Sequence, residues 1–129
     1  MKASDRLFIQ AAVLLAEHGR LTCAPNPTVG CIIVRNGQTI GRGYHEYAGQ
    51  GHAEVNAIAD AGGDVTGSTV YVSLEPCSFI GKTPACAQTL IDAGVTRVVI
   101  GALDPNPRVA GNGIAMLKAA NIEVELLDL

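Results

Sequence analysis

Hydrophobic positions along the chain change period several times, and each change marks an element. Over residues 5–18, Leu7, Ala11, Leu14, Leu15 and His18 recur at helical spacing. That predicts a helix laid on a core, capped by Ser4 and stopped by Gly19. Pro25-Asn26-Pro27 cannot be helical, and its two prolines set a stiff turn around Asn26. Residues 29–35 and 39–45 read as strands joined by Asn36-Gly37, a strong hairpin signal. The first of them is apolar on both faces, through Val29, Cys31, Ile32, Ile33 and Val34, and is expected to be central. Gly41, Gly43, Gly49 and Gly51 then loosen the chain.

A helix over about 52–61 ends at Gly62-Gly63, and a strand over 68–74 is closed by Glu75-Pro76-Cys77. Pro84 precedes a helix over about 85–93, and a strand over 97–103 leads into Asp104-Pro105-Asn106-Pro107. Gly111 and Gly113 come before a helix that runs to about 120, and residues 122–127 form the last strand. A helix between two strands makes them parallel with a right-handed crossover, which applies to the last three strands. The expected whole is one α/β domain over 1–129, a mixed five-stranded sheet with helices on both faces. No repeat, linker or low-complexity tract interrupts it.

Composition narrows the classes. The 129 residues suit one domain, and 48% hydrophobic content excludes a disordered chain. A net charge of -3 argues against the basic footprint of a nucleic-acid binder. No segment reaches the length of a membrane span. Asp5 and Arg6 precede an apolar face interrupted by Gln10 and Glu17, which is not the pattern of a signal peptide. A cytoplasmic protein is expected, whose four cysteines are thiols or metal ligands rather than a disulfide framework. Cys31 reads as a small buried hydrophobe and Cys23 as an ordinary thiol.

The candidate chemistry sits in His52-Ala53-Glu54, Pro76-Cys77 and Cys86. Zinc binds imidazole nitrogen and thiolate sulfur, and a catalytic zinc has three protein ligands and a position for water. His52, Cys77 and Cys86 could supply the three. Glu54, in the first turn of its helix, would then move protons rather than bind metal. H-x-E followed by P-C and a second cysteine is the signature of zinc nucleobase deaminases, with C-x-x-C as its usual ending. Here residues 78–85 separate the two cysteines. Cys86 lies near a helix start, where a thiol loses its proton more readily. Zinc makes water nucleophilic near neutral pH, and one carboxylate can carry its protons to a ring nitrogen and to departing ammonia. The non-enzymatic alternative is a closed structural zinc site, with Cys23, Cys31, His18 or His45 as fourth ligand.

With those residues in view, the chain resembles the deaminase domain of the bifunctional riboflavin-biosynthesis proteins, the diaminohydroxyphosphoribosylaminopyrimidine deaminases. The matching stretches are APNPTVGCIIV, GRGYHEYAGQGHAEVNAI, TVYVSLEPCSFIGKTPAC and AGVTRVVIGALDPNPRVAGNGI, which are spread from residue 24 to residue 114. The wide cysteine spacing is typical of that family. The resemblance implies a cytidine-deaminase-like three-layer α/β/α sandwich that exchanges a pyrimidinone's ring amino group for a carbonyl oxygen. It implies Zn2+ on His52, Cys77 and Cys86, Glu54 as proton shuttle and Asn26 as ring reader. It places His45, Lys82 and Thr83 near substrate, and Asp104 and Asn106 at the pocket rim. A lysine and several amide or hydroxyl donors suit a phosphate-bearing ligand.

Two departures stand out. Phe79 follows Pro76-Cys77-Ser78 where many members have histidine, and an aromatic there could stack on a ring. The chain also ends at Leu129, which leaves no residues for a reductase domain, so it is either a stand-alone deaminase or an isolated piece. A separate reductase is therefore expected, with no nicotinamide cofactor here. The resemblance further implies a homodimer or homotetramer. The alternative substrates are a nucleoside, a guanine- or pterin-like ring, or RNA.

Overall fold

The computed structural model describes residues 3–19, 28–46, 52–77, 86–104, 107 and 110–127. The predicted hairpin is present as β1 (Gly30–Arg35) and β2 (Gln38–Tyr44). Its turn residues Asn36 and Gly37 both take positive φ, 55° and 77°, the handedness that matches the twist of the two strands. β1 also pairs antiparallel with β3 (Thr69–Val72). β3, β4 (Arg97–Ile100) and β5 (Glu123–Leu126) are parallel, and the sheet order is β2-β1-β3-β4-β5. The mixed five-stranded sheet and the parallel last three strands are as the spacing of helices and strands predicts.

Alternation along the strands sends side chains to two apolar layers. Cys31, Ile33, Val70, Val72, Val98 and Ile100 face one layer, with Ala53 and Ala57 of α2 (Ala53–Asp60), Ala87 and Leu90 of α3 (Cys86–Asp92), and Leu117 of α4 (Asn112–Ala119). Ile32, Val34, Tyr71 and Val99 face the other, with Ile9 and Ala12 of α1 (Ala3–Ala16). Each fully buried Val, Ile or Leu contributes about 1.5–3 kcal/mol to holding these layers together. Cys31 is fully buried, as a small hydrophobe should be. Among the described residues no helix is long and apolar enough to cross a membrane.

Three local expectations are corrected. α1 begins at Ala3, so Ser4 lies inside its first turn and is not its cap. The buried stripe of α1 is Asp5, Ile9, Ala12 and Ala16, whereas Leu7 and Leu14 are 69% and 70% exposed. The cause is a partner distant in sequence. Arg97 at the start of β4 grips Asp5 with two hydrogen bonds of 2.9 and 2.6 Å, and the Tyr71 hydroxyl donates a third of 2.8 Å. That compensation lets a charged residue define the inward face.

The third correction concerns Gly41 and Gly43, which lie in the strand expected over 39–45 but are tightly packed there instead of loosening the chain. A Cβ on Gly41 would stand 2.4 Å from the Ala57 carbonyl oxygen, and one on Gly43 would stand 2.3 Å from the Ala57 nitrogen. Both glycines are there because α2 runs backbone to backbone across the strand.

Candidate active site

The site forms where the sheet's chemistry-bearing ends meet, at the carboxyl end of β3. α2 starts there with His52 as its N-cap, in extended conformation and making no side-chain capping bond. The chain leaving β3 delivers Cys77 after Glu75 and Pro76, and α3 starts with Cys86. The His52 Nδ1 lies 2.9 Å from the Cys86 sulfur and 3.9 Å from the Cys77 sulfur. The Cys86 backbone N–H donates to the Cys77 sulfur at 3.1 Å, and the Ala87 N–H donates to the Cys77 carbonyl at 3.0 Å. Cys77 is thereby pinned to the first turn of α3.

The three donor atoms all lie within 4.8 Å of one another. A tetrahedral ion with bonds of about 2.0–2.3 Å asks for donors roughly 3.5 Å apart. One imidazole and two thiols at these separations fit a zinc-like ion, and Nδ1 is the ring nitrogen that faces it. Among the described residues, neither Cys31, His18 nor His45 belongs to the group.

The three side chains are close enough to exchange protons. The Cys77 thiol is pushed down to about 4, first by a hydrogen bond from the Cys86 side chain and then by bonds from His52 and the Cys86 backbone. Cys86 is raised, first because it is the donor in that same bond and then by burial. His52 is raised chiefly by its bond to Cys77. Two sulfurs and a ring thus share protons that metal binding would release.

Glu54 is 3% exposed in the first turn of α2. Burial pushes its carboxyl up to about 7, against bonds from its own backbone and from Cys86 that pull the other way. His45 is 3% exposed, its ring edge-on to the His52 ring at 5.0 Å. Its backbone N–H donates to the Val29 carbonyl at 3.1 Å. The Asn56 side chain ties α2 to the Tyr44 carbonyl at 2.8 Å, holding that end of β2 to the helix that carries His52.

Asp104 comes into the same region through its backbone N–H, which donates to Glu75 at 3.1 Å. Asn26, Lys82, Thr83 and Asn106, together with Cys23 and Phe79, lie outside the described residues.

Glu75 was not singled out from the sequence. Its carboxylate is 5% exposed and accepts from four backbone N–H groups, those of Asp104, Gly111, Gly113 and Ile114. One sign was available beforehand. Gly111, at the start of a helix, offers no side chain to cap it, which leaves its first N–H groups open to an acceptor from elsewhere in the chain.

A buried carboxylate beside a His/Cys/Cys cluster on this sheet defines a class. The chain belongs to the cytidine and deoxycytidylate deaminase family, whose zinc-binding region matches residues 2–102. Within it, the chain is 49% identical over 122 residues to the diaminohydroxyphosphoribosylamino-pyrimidine deaminase of Buchnera aphidicola subsp. Acyrthosiphon pisum. That match covers 95% of this chain and 83% of that protein. It is 52% identical over 120 residues to the riboflavin biosynthesis protein RibD of Escherichia coli, covering 93% of this chain and 33% of the relative. A solved structure of Acinetobacter baumannii RibD superposes with a TM-score of 0.93 at 50% identity, over 95% of this chain and 35% of that one. The chain therefore spans most of one relative and about a third of the RibD proteins it matches.

Proposed function

We propose that residues 1–129 act as one deaminase domain that hydrolyses the ring amino group of diaminohydroxyphosphoribosylaminopyrimidine, yielding the aminouracil ribosylamine phosphate and ammonia. The observation that carries this reading is the convergence of His52, Cys77 and Cys86 within 4.8 Å, with Glu54 buried two residues from His52. It occurs in a chain about half identical to a protein named for that deaminase activity and to riboflavin biosynthesis proteins named RibD. In this reading His52, Cys77 and Cys86 hold zinc. When bound, the ion supplies the Lewis acidity that makes water nucleophilic near neutral pH.

The chain's own residues do the rest. Glu54 takes one proton from the attacking water and gives it to the ring nitrogen beside the reacting carbon. It takes the second from the new hydroxyl and gives it to the amine, so that oxygen replaces nitrogen and ammonia leaves. His45, packed edge-on to His52, and Asp104, held beside the Cys77 turn by Glu75, line the substrate's approach. Asn26, Lys82, Thr83 and Asn106 complete the substrate contacts by family resemblance. The deaminase reaction itself uses neither nicotinamide nor nucleic acid, and by family resemblance the domain works as a homodimer or homotetramer.

The test is ammonia release from the zinc-loaded protein across the riboflavin precursor, cytidine, guanine and a tRNA stem-loop. A preference for the phosphorylated aminopyrimidine is expected. Preference for an unphosphorylated ring would transfer the same chemistry to another substrate.

A further inference from the structure

Glu75 does more than a helix cap requires. α4 begins at Gly111, which has no capping side chain, and the Glu75 Oε2 serves in its place by accepting from Gly113 at 2.9 Å and Ile114 at 3.3 Å. That alone would stabilise the helix start. The other oxygen has a different task. Oε1 accepts from Asp104 at 3.1 Å and from Gly111 at 2.9 Å.

The Glu75 backbone is itself locked, its N–H donating to the Ala102 carbonyl at 2.9 Å, and it stands two residues before Cys77. Gly113 presses on the same turn, since a Cβ there would lie 2.1 Å from the Pro76 carbonyl oxygen. A buried carboxylate tolerates little movement, because each lost N–H leaves charge uncompensated. One side chain therefore fixes the distance between the turn that carries Cys77 and the backbone at Asp104.

We propose that Glu75 is a positioning residue for deamination, holding Asp104 and the start of α4 against the Cys77 turn so that this rim meets the substrate in register. The inference rests on the proposed function and on Asp104 lying at the substrate rim. In the proposed reading this rim meets parts of the substrate away from the reacting carbon. Its displacement therefore weakens ground state and transition state alike, which raises KM and leaves kcat nearly unchanged.

The experiment compares the zinc-loaded full chain with Glu75→Gln and Glu75→Asp, measuring zinc per chain, thermal unfolding, and KM and kcat for ammonia release from the riboflavin precursor. In Glu75→Gln the amide group faces two N–H donors that now have no acceptor. The expected result is unchanged zinc content, a KM raised about tenfold or more, and a kcat within about threefold. Glu75→Asp keeps the charge on a shorter arm and should recover part of the KM. An unchanged KM overturns the role, even if the melting temperature falls. Loss of zinc with a fall in kcat would place Glu75 in support of the metal ligand instead. Insolubility of both variants would assign it to folding alone. An inactive wild-type protein refutes the deaminase reading, and the positioning role with it, and is recognised in the wild-type arm.

Discussion

A carboxylate inside a protein has to be compensated, and three in this chain are handled in three ways. Asp5 is gripped by the Arg97 guanidinium and Tyr71, and Glu75 accepts from four amides. Burial raises the Glu54 carboxyl to about 7, against a bond from its own backbone, the charge of His52 and a bond from Cys86. An acid near neutrality can both take and return a proton. Glu54→Gln keeps the shape and removes the exchangeable proton. It should retain zinc and the fold while ammonia release falls by about 10²–10⁴-fold, as expected for loss of a general acid–base group. Metal analysis and steady-state kinetics on the same preparation check this, and near-normal turnover in the zinc-loaded variant would refute the shuttle role.

At the scale of elements, the site is only as well placed as the helix that carries half of it. α2 brings His52 and Glu54 into position, and it lies directly on β2 because Gly41 and Gly43 leave room for its backbone. Gly43→Ala would drive a methyl into the Ala57 nitrogen at 2.3 Å and the Ala53 carbonyl oxygen at 2.6 Å. Neither is a flexible side-chain end, so helix and strand must separate. The expected cost is roughly 1–3 kcal/mol of stability, read from the urea midpoint, with a fall in kcat as His52 and Glu54 move off the cysteines. A wild-type midpoint in Gly43→Ala would show that the contact can relax. The inward face of α1 is the corresponding case on the other layer. Of the predicted stripe Leu7, Ala11, Leu14, Leu15 and His18, Ala11 and Leu15 pack against the core while Leu7 and Leu14 face outward, because the Asp5–Arg97 pair rotates the buried face.

For the whole molecule, the sheet order β2-β1-β3-β4-β5 carries the last strands away from the hairpin and leaves α2, α3 and α4 on one layer. The starts of α2 and α3 and the turn after β3 therefore gather at one end of the sheet, where open α/β sheets bind ligands. Metal bound across two helices and a strand end links parts of the chain far apart in sequence. Removing it with a chelator should abolish ammonia release and lower the melting temperature, and added zinc should restore both. A ligand present at about a thousand times its dissociation constant stabilises the folded state by about 4 kcal/mol, so the shift should be easily measured. Full activity in protein shown by elemental analysis to be metal-free would refute the zinc assignment.

What could be read in the sequence was whatever depends on neighbours within a few residues. The Asn36-Gly37 turn, the doubly apolar first strand, the alternation that makes the last three strands parallel, and the His52, Glu54, Cys77 and Cys86 pattern all have local signatures. Tertiary structure decided what depends on partners distant along the chain. Asp5 turns inward because Arg97 lies 92 residues later, Glu75 is a hub because its four donors come from 29 to 39 residues away, and Gly43 is a contact surface because α2 crosses it. Spacing records the periodicity of a backbone. It carries no record of which charge will meet which once that backbone is folded.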